Sequence, residues 1–542
     1  QIPFPVYLDP KQRAADAFKA HFTPEAFVVD QNLVLRYRGR IDDHYNARLK
    51  KNPKVTSFDL KNALDDLLAG KPVKTPVTQA VGCSIGGKET VVKEATKLTY
   101  YKDVLPILQA NCQNCHRPGE VGPFSLMTYK QAVTWSEDIK EYTASRKMPP
   151  WKVTEGISFH NDRRLSEADI KTLAAWADGG TPEGDKAQAP KPVPFVDGWQ
   201  LGKPDLILTV NEDFHLGASG PDAFRCYVMP TKLEEDKYII GFEVKPGNPQ
   251  IVHHTLNYWD ITGKAKSLEV AAKEKAKDTD NDRGPGYSSS MGVGFFPPIV
   301  SPRPGVPAVG NFGGWAPGQV PRFLPEGTGY FLPKGADVVM QTHYHRIGKA
   351  EKDRTQLGLY FAKKPVEKPF RALTLGPTGF VLSIPANKEA HPIKGHIYVH
   401  TECTLHSVMP HMHLIGKSVK ITMTPPGEKT ITLVDIHDWD YNWQETYWLK
   451  EPMQVKAGTR LDIEAVFDNS SRNLNNPRNP PAYVMFGEQT TNEMLFGFFG
   501  MTAEPGKFVR ARPTPPPAPL HSSRIRPHRP SRYLRQVHSR QI

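Results

Sequence analysis

The period of the apolar positions changes twice along this chain. In the first ninety residues, short apolar runs at Ala26–Val29 and Val34–Arg38 precede an amphipathic stretch, Asp59–Leu68, with spacing near 3.6. That part reads as strand, strand and helix, an α/β pattern too short for a complete open sheet. From about Leu98 to Gly184 the period is helical. Val104–Leu108, Gln131–Tyr142 and Ser166–Trp176 each carry an apolar stripe, and Ser166 with Asp169 three residues on marks a helix start. Beyond a linker rich in Pro, Ala and Lys, Lys186–Pro194, the period falls to two. Ile239–Val244, Val252–Trp259, Val338–His345, Leu357–Phe361, Val419–Met423, Leu461–Val466 and Phe496–Met501 alternate between Gly, Pro and Asn breaks. They predict antiparallel sandwiches, and the roughly 300 residues involved are enough for two. Gly284–Gly335 is so rich in Gly and Pro that it is expected to form long loops.

Composition adds limits. A length of 542 residues suggests three or four domains. No run of about 18 apolar residues occurs, so no transmembrane segment is expected. The net charge of +12 invites a nucleic-acid reading until its distribution is inspected. Nine of those charges fall between Lys507 and Ile542, a Pro-rich tail with no acidic residue. The rest of the chain is nearly neutral, so no nucleic-acid partner is expected and the tail is expected to be disordered.

Near the start, Thr23–Pro24–Glu25–Ala26–Phe27–Val28–Val29–Asp30, followed by Leu35–Arg36–Tyr37–Arg38–Gly39, resembles the C-terminal half of thioredoxin-like, peroxiredoxin-type domains. The resemblance implies a cis proline at Pro24. No C-x-x-C precedes these residues here, so residues 1–92 are expected to be a redox-silent remnant or truncation, with Cys83 structural.

Cys112–Gln113–Asn114–Cys115–His116 carries C-x-x-C-H, the attachment signature of c-type haem. Two thioethers would fix the haem vinyls, with His116 as proximal ligand. Met148, thirty-two residues after His116 in Lys–Met–Pro–Pro–Trp, is the expected sixth ligand, with Met127 as the alternative. Residues 93–190 thus look like a cytochrome c domain. Covalent haem is attached outside the cytoplasmic membrane, which implies a periplasmic or otherwise extracytoplasmic bacterial protein and a periplasmic electron donor.

Histidines cluster in the strand-rich part as His253–His254, His343–Tyr344–His345 and His411–Met412–His413. Residues two apart on a strand share a face, so His411 and His413 can reach one ion. His253 and His254 can share one only at a bulge or strand end. Imidazoles admit several metals, while a thioether partner, for which Met494 in Asn492–Glu493–Met494 is the candidate, favours copper. This ordered set, with Gln341–Thr342–His343–Tyr344 and Pro410–His411–Met412–His413–Leu414, resembles the copper type II, ascorbate-dependent monooxygenases, the peptidylglycine and dopamine hydroxylase group.

That resemblance implies two copper ions. His253, His254 and His343 would hold the electron-transfer copper, in a first sandwich over 191–372. His411, His413 and Met494 would hold the oxygen-binding copper, in a second over 373–506. Spacing alone does not separate His343 from His345. The implied reaction consumes O2 and two electrons, hydroxylates an activated C–H bond and releases the second oxygen atom as water, with ascorbate as reductant. Electrons from the haem would supplement or replace it. The polar groups with which the peptidylglycine branch holds a peptide carboxylate correspond to Met409, Phe496 and Phe498, so a small apolar or aromatic substrate is expected. Tyr441, Trp443 and Tyr447 would either wall that site or belong to the core. The same ligands would also serve a haem and copper electron-transfer or copper-binding protein without oxygenase activity. The expected architecture is thus multidomain and mainly β, with two antiparallel jelly-roll-like sandwiches after an α-helical cytochrome c domain and a partial α/β segment, and a tail from 507.

Overall fold

A computed structural model describes Tyr7, Asp9 and residues 13–20, 22–47, 50–52, 54–85, 96–196, 198–276, 281–289, 292–295, 300–473, 475–478 and 480–515. Most of the basic tail lies outside the described residues.

The N-terminal segment holds a hairpin of β1 (Ala26–Val29) and β2 (Leu35–Gly39), followed by α1 (Asp59–Leu68). Tyr37 is its buried anchor, with its hydroxyl donating to Arg40 O. The peptide before Pro24 is cis. Cys83 pairs with Thr23 in a two-residue ladder, and its side chain lies outside the described part.

Four helices follow: α2 (Leu105–Asn111), α3 (Tyr129–Thr134), α4 (Ser136–Ala144) and α5 (Glu167–Asp178). Their shared apolar face buries Val104, Leu108, Leu173 and Trp176. Both Ser166 with Asp169 and Thr128 with Gln131 form reciprocal capping boxes. The stretch expected to be one helix, Gln131–Tyr142, breaks at Trp135, whose indole stacks on Phe124 (centroids 4.0 Å, 15°). Packing that ring against the motif loop overrides helix continuity.

The strands that build the three large sheets are β3 (Glu155–Gly156), β4 (Leu206–Thr209), β5 (Ala223–Pro230), β6 (Lys237–Lys245), β7 (Val252–Asp260), β8 (Tyr287–Ser288), β9 (Val309–Trp315), β10 (Thr328–Leu332), β11 (Asp337–Tyr344), β12 (Gln356–Phe361), β13 (Lys368–Leu375), β14 (Lys388–Val399), β15 (Cys403–Met412), β16 (Gly416–Thr424), β17 (Ile431–Ile436), β18 (Tyr447–Val455), β19 (Arg460–Asn469), β20 (Leu495–Ala503) and β21 (Ala511–Arg512). They form a five-stranded sheet, β8-β5-β11-β7-β9, a six-stranded sheet, β21-β14-β19-β16-β17-β3, and an eight-stranded sheet, β18-β15-β20-β13-β10-β6-β12-β4. One core, with Phe214, Phe312, Met340 and Tyr344, belongs to the first half, and another, with Leu405, Met412, Ile463 and Phe499, to the second.

The two halves are therefore not independent sandwiches. Parallel pairing of β10 with β13 (Thr328↔Lys368, Gly329↔Pro369) makes one continuous sheet serve both. Three further expectations need correction. Gly284–Gly335 contains β8, β9 and β10 rather than loops alone: glycine lets β9 lie against its neighbour, because a Cβ at Gly310 would sit 2.3 Å from the Trp259 ring. Residues 152–160, expected in the cytochrome-like domain, cross to the second half, where β3 pairs with β17. Finally β21, inside the segment expected to be disordered, adds an edge to β14. An additional helix, α6 (Lys264–Lys275), has only a thin apolar stripe, Ala265 buried with Leu268 and Ala272 half-buried beside it, too slight among its lysines and glutamates to mark it in the sequence.

Candidate metal centres

His253 and His254 lie at the start of β7, where pairing with β11 shifts register between Val252 and His254. The extra residue bends the strand and turns two adjacent imidazoles to the same side, which regular pleating forbids. Their Nδ1 atoms are 3.0 Å apart. His343 on β11 is the register partner of His254, and the three rings place ligand nitrogens within 4.8 Å of one another. His343 is clamped on its face by Phe224 (4.2 Å, 16°) and at its edge by Asp222, whose Oδ2 accepts from Nε2–H at 3.1 Å. The buried Nδ1 of His343 has no protein partner. An orphaned imidazole nitrogen facing two others is the donor set a metal ion requires, and the carboxylate behind it fixes the tautomer. His345 stands 6.1 Å from His253 by ring centroids, just beyond the strand end and outside the three-histidine set.

The second cluster sits where β15 ends. His411 and His413 share a face, with ring centroids 5.2 Å apart. His411 Nδ1–H donates to Gln444 Oε1 in a short bond, and His413 Nδ1–H donates to Asn492 O at 3.1 Å. Nε2 of each ring is thereby left with its lone pair. Met494 is buried, and its N–H donates to Glu493 Oε2 (3.2 Å), the same oxygen that accepts His413 N–H (2.8 Å). Glu493 Oε1 accepts Ile415 N–H at 2.8 Å. One carboxylate thus pins the backbone of His413 beside that of Met494. Burial pushes Glu493 up to about 8, against the opposing pull of its backbone donors.

The two clusters adjoin. Tyr441 stacks on His253 (4.8 Å, 9°) and meets His413 edge-on (5.9 Å, 87°), so one aromatic ring spans the gap. Burial first, and neighbouring imidazoles after it, lower His253 and His413 to about 3; burial lowers His411 to about 4 and His254 well below the ordinary value. Neutral imidazole is the form that ligates metal. On the face of β15 and β20 that carries His411, Phe496 and Phe498 flank its ring at 6.5 and 6.4 Å. Met409 is the register partner of Phe498. Tyr447 belongs to the second core, packed on Trp151 and Phe159.

In the helical region, Cys112 and Cys115 are free thiols at the C-terminal end of α2, and burial raises both, Cys112 to about 12. His116 donates Nδ1–H to Phe124 O at 3.1 Å, leaving Nε2 available, the arrangement a proximal haem ligand needs. Met148 follows α4, its N–H bonded to Tyr142 O, while Met127 is exposed on a loop. This region docks on the second half through Arg163 and Glu445, a short ion pair, and a bridge between Phe159 and Leu449. Glu445 adjoins Gln444, the residue that holds His411.

Several of these positions escaped sequence reasoning. Asp222 and Gln444 have no spacing signal: Asp222 lies 121 residues from its histidine and Gln444 lies 33 from His411. Cys226 and Cys403 are separately buried free thiols, Cys403 against Met501.

Comparison with protein families shows that residues 375–499 match the C-terminal domain of copper type II ascorbate-dependent monooxygenases. The match spans His411, His413 and Met494 and supports, at the general level, a copper- and ascorbate-dependent oxidoreductase. No curated protein matches the chain. Among solved structures, PNGase F, a glycosylasparaginase from Flavobacterium meningosepticum, aligns over 57% of this chain and 100% of its own at 10% identity and TM-score 0.26. The infectious bursal disease virus Gt strain structure aligns over 56% and 72% at 9% identity and TM-score 0.16. Likenesses this slight carry no argument.

Proposed function

We propose that this protein is a copper-dependent monooxygenase that uses O2 to hydroxylate an activated C–H bond of a small apolar or aromatic substrate. The observation that carries the reading is the adjacency of two half-buried to buried histidine clusters, one of them inside the segment that matches the monooxygenase family. His253, His254 and His343 would hold one copper ion and His411, His413 and Met494 the other. When bound, the two ions would supply one-electron redox chemistry and the activation of O2.

The chain's own residues have definable tasks. Asp222, Gln444 and Asn492 O each take the N–H of one ligand imidazole and so orient its lone pair. Tyr441 excludes water from the space between the clusters. Met409, Phe496 and Phe498 offer no charge or amide to a substrate beside His411, which supports an apolar or aromatic group there.

Cys112, Cys115, His116 and Met148 would hold a covalent haem, which when bound would supply one-electron transfer from an extracytoplasmic donor, with ascorbate as the other source of electrons. Docking through Arg163 and Glu445, next in sequence to Gln444, supports this path. Oxygen uptake by copper-loaded protein with ascorbate and a panel of benzylic amines and alcohols tests the reading. Uptake matched by hydroxylated product is expected; copper-loaded protein that binds reductant yet consumes no O2 with any of them would leave an electron-transfer protein.

A further inference from the structure

The loop 488–494 belongs to the second half, yet much of its side-chain bonding is to the first. Gln489 Nε2 donates to the backbone carbonyl of Asp222 at 3.2 Å, and Thr490 Oγ1 donates to Asp222 Oδ2 at 2.6 Å. That oxygen is the one that accepts His343 Nε2–H. Glu488 adds a bond from Gly292 N at 3.0 Å. Within the next four residues the same loop supplies Asn492 O and the Glu493 carboxylate to His413, and then Met494 itself.

The chemistry of Asp222 explains why its second donor matters. Its side chain is 15% exposed, and its Oδ2 takes both the His343 ring N–H and the Thr490 hydroxyl. A carboxylate with two donors on one oxygen has little freedom to rotate. The imidazole behind it is fixed in tautomer and in plane. Remove the hydroxyl and Asp222 keeps only the histidine, on a partly solvated loop where water competes for the freed lone pair.

We infer that Thr490 is a positioning residue for the opposite centre: through Asp222 it fixes His343, so that a loop carrying a ligand of the second metal site also sets the geometry of the first. The inference rests on the metal-site reading above. It assigns to Thr490 a role different from that of its neighbour Thr491, which is exposed.

The contrast between the two threonines makes the test. Apo full-length protein is titrated with Cu(I) against a chromogenic chelator. The first site is read alone in a His411→Ala background and the second alone in a His253→Ala background. Thr490→Val is expected to weaken the first site by about tenfold, the lower end of the cost of losing an outer partner of a ligand. It is expected to change the Cu(II) electron paramagnetic resonance hyperfine splitting of that site and to leave second-site affinity unchanged. Thr490→Ser is expected to restore both quantities, and Thr491→Val to alter neither. First-site affinity and spectrum unchanged in Thr490→Val would overturn the inference, as would equal losses at both sites together with a lowered Tm, the mark of a merely structural role. If the His411→Ala protein binds no copper at all, the metal-site reading itself fails and this inference with it.

Discussion

Replacing Glu493 with alanine gives the sharpest local perturbation of the second centre. The side chain has no solvent exposure, and its two oxygens accept N–H groups from His413, Ile415 and Met494 at 2.8, 2.8 and 3.2 Å. Glu493→Ala leaves three buried donors without an acceptor, each costing about 1–3 kcal/mol. Allowing for relaxation and water entry, the sum is on the order of 3–6 kcal/mol, a large part of the ~5–15 kcal/mol that holds a domain together. Glu493→Gln should fall between, since its carbonyl still accepts while its NH2 finds no partner. Urea unfolding followed by tryptophan fluorescence, with copper counted per chain, is the assay. Expected are a large drop in midpoint for Glu493→Ala, a smaller one for Glu493→Gln, and loss of second-site copper with first-site copper retained. An Ala variant that unfolds at the wild-type urea concentration and keeps its second-site copper would refute the claim that this carboxylate builds the site.

Three further outcomes are expected. Gln444→Leu removes the acceptor of His411 Nδ1–H, so second-site copper affinity should fall by about tenfold or more while the first site is unaffected, as read by chelator competition. Burial raises Glu488 to about 7, whereas its ordinary value is 4.5. The folded state therefore holds this proton more tightly than the unfolded chain, and the associated stability is full below about pH 4.5 and is lost as pH rises through about 7. Glu488→Gln keeps the neutral form, so its Tm should gain on the wild type as pH rises across that window, a trend that scanning calorimetry in buffers spanning it will detect. Cys112→Ala combined with Cys115→Ala should abolish covalent haem absorbance in denatured protein from a cytochrome-maturing host, and leave copper binding intact.

Much of the β architecture was legible because half-buried strands declare themselves by a period of two: each of the seven strands expected from alternation has a counterpart, from β6 to β20. The continuous eight-stranded sheet was not, since the pairing of Thr328 with Lys368 depends on docking two halves and leaves no local pattern. Glycine misled in one place. Gly310 and Gly314 in β9 read as loop residues, yet they are where a neighbouring strand or ring comes too close for a Cβ. At the site, the bulge that brings His253 and His254 to one side could be anticipated, because adjacent ligands on a strand demand it. The residues that orient the ligands could not. A hydrogen bond from His343 to Asp222, or from His411 to Gln444, is a product of tertiary packing between segments with no common periodicity.

The central claim is that this chain holds two copper ions on two distinct sets of residues. Metal analysis of anaerobically copper-loaded, dialysed full-length protein tests it most directly, run alongside His253→Ala and His411→Ala variants. Two copper ions per chain in the wild type, falling to one in each variant, is the predicted result. A wild-type protein with no tightly held copper, or a copper content that neither substitution changes, would contradict it.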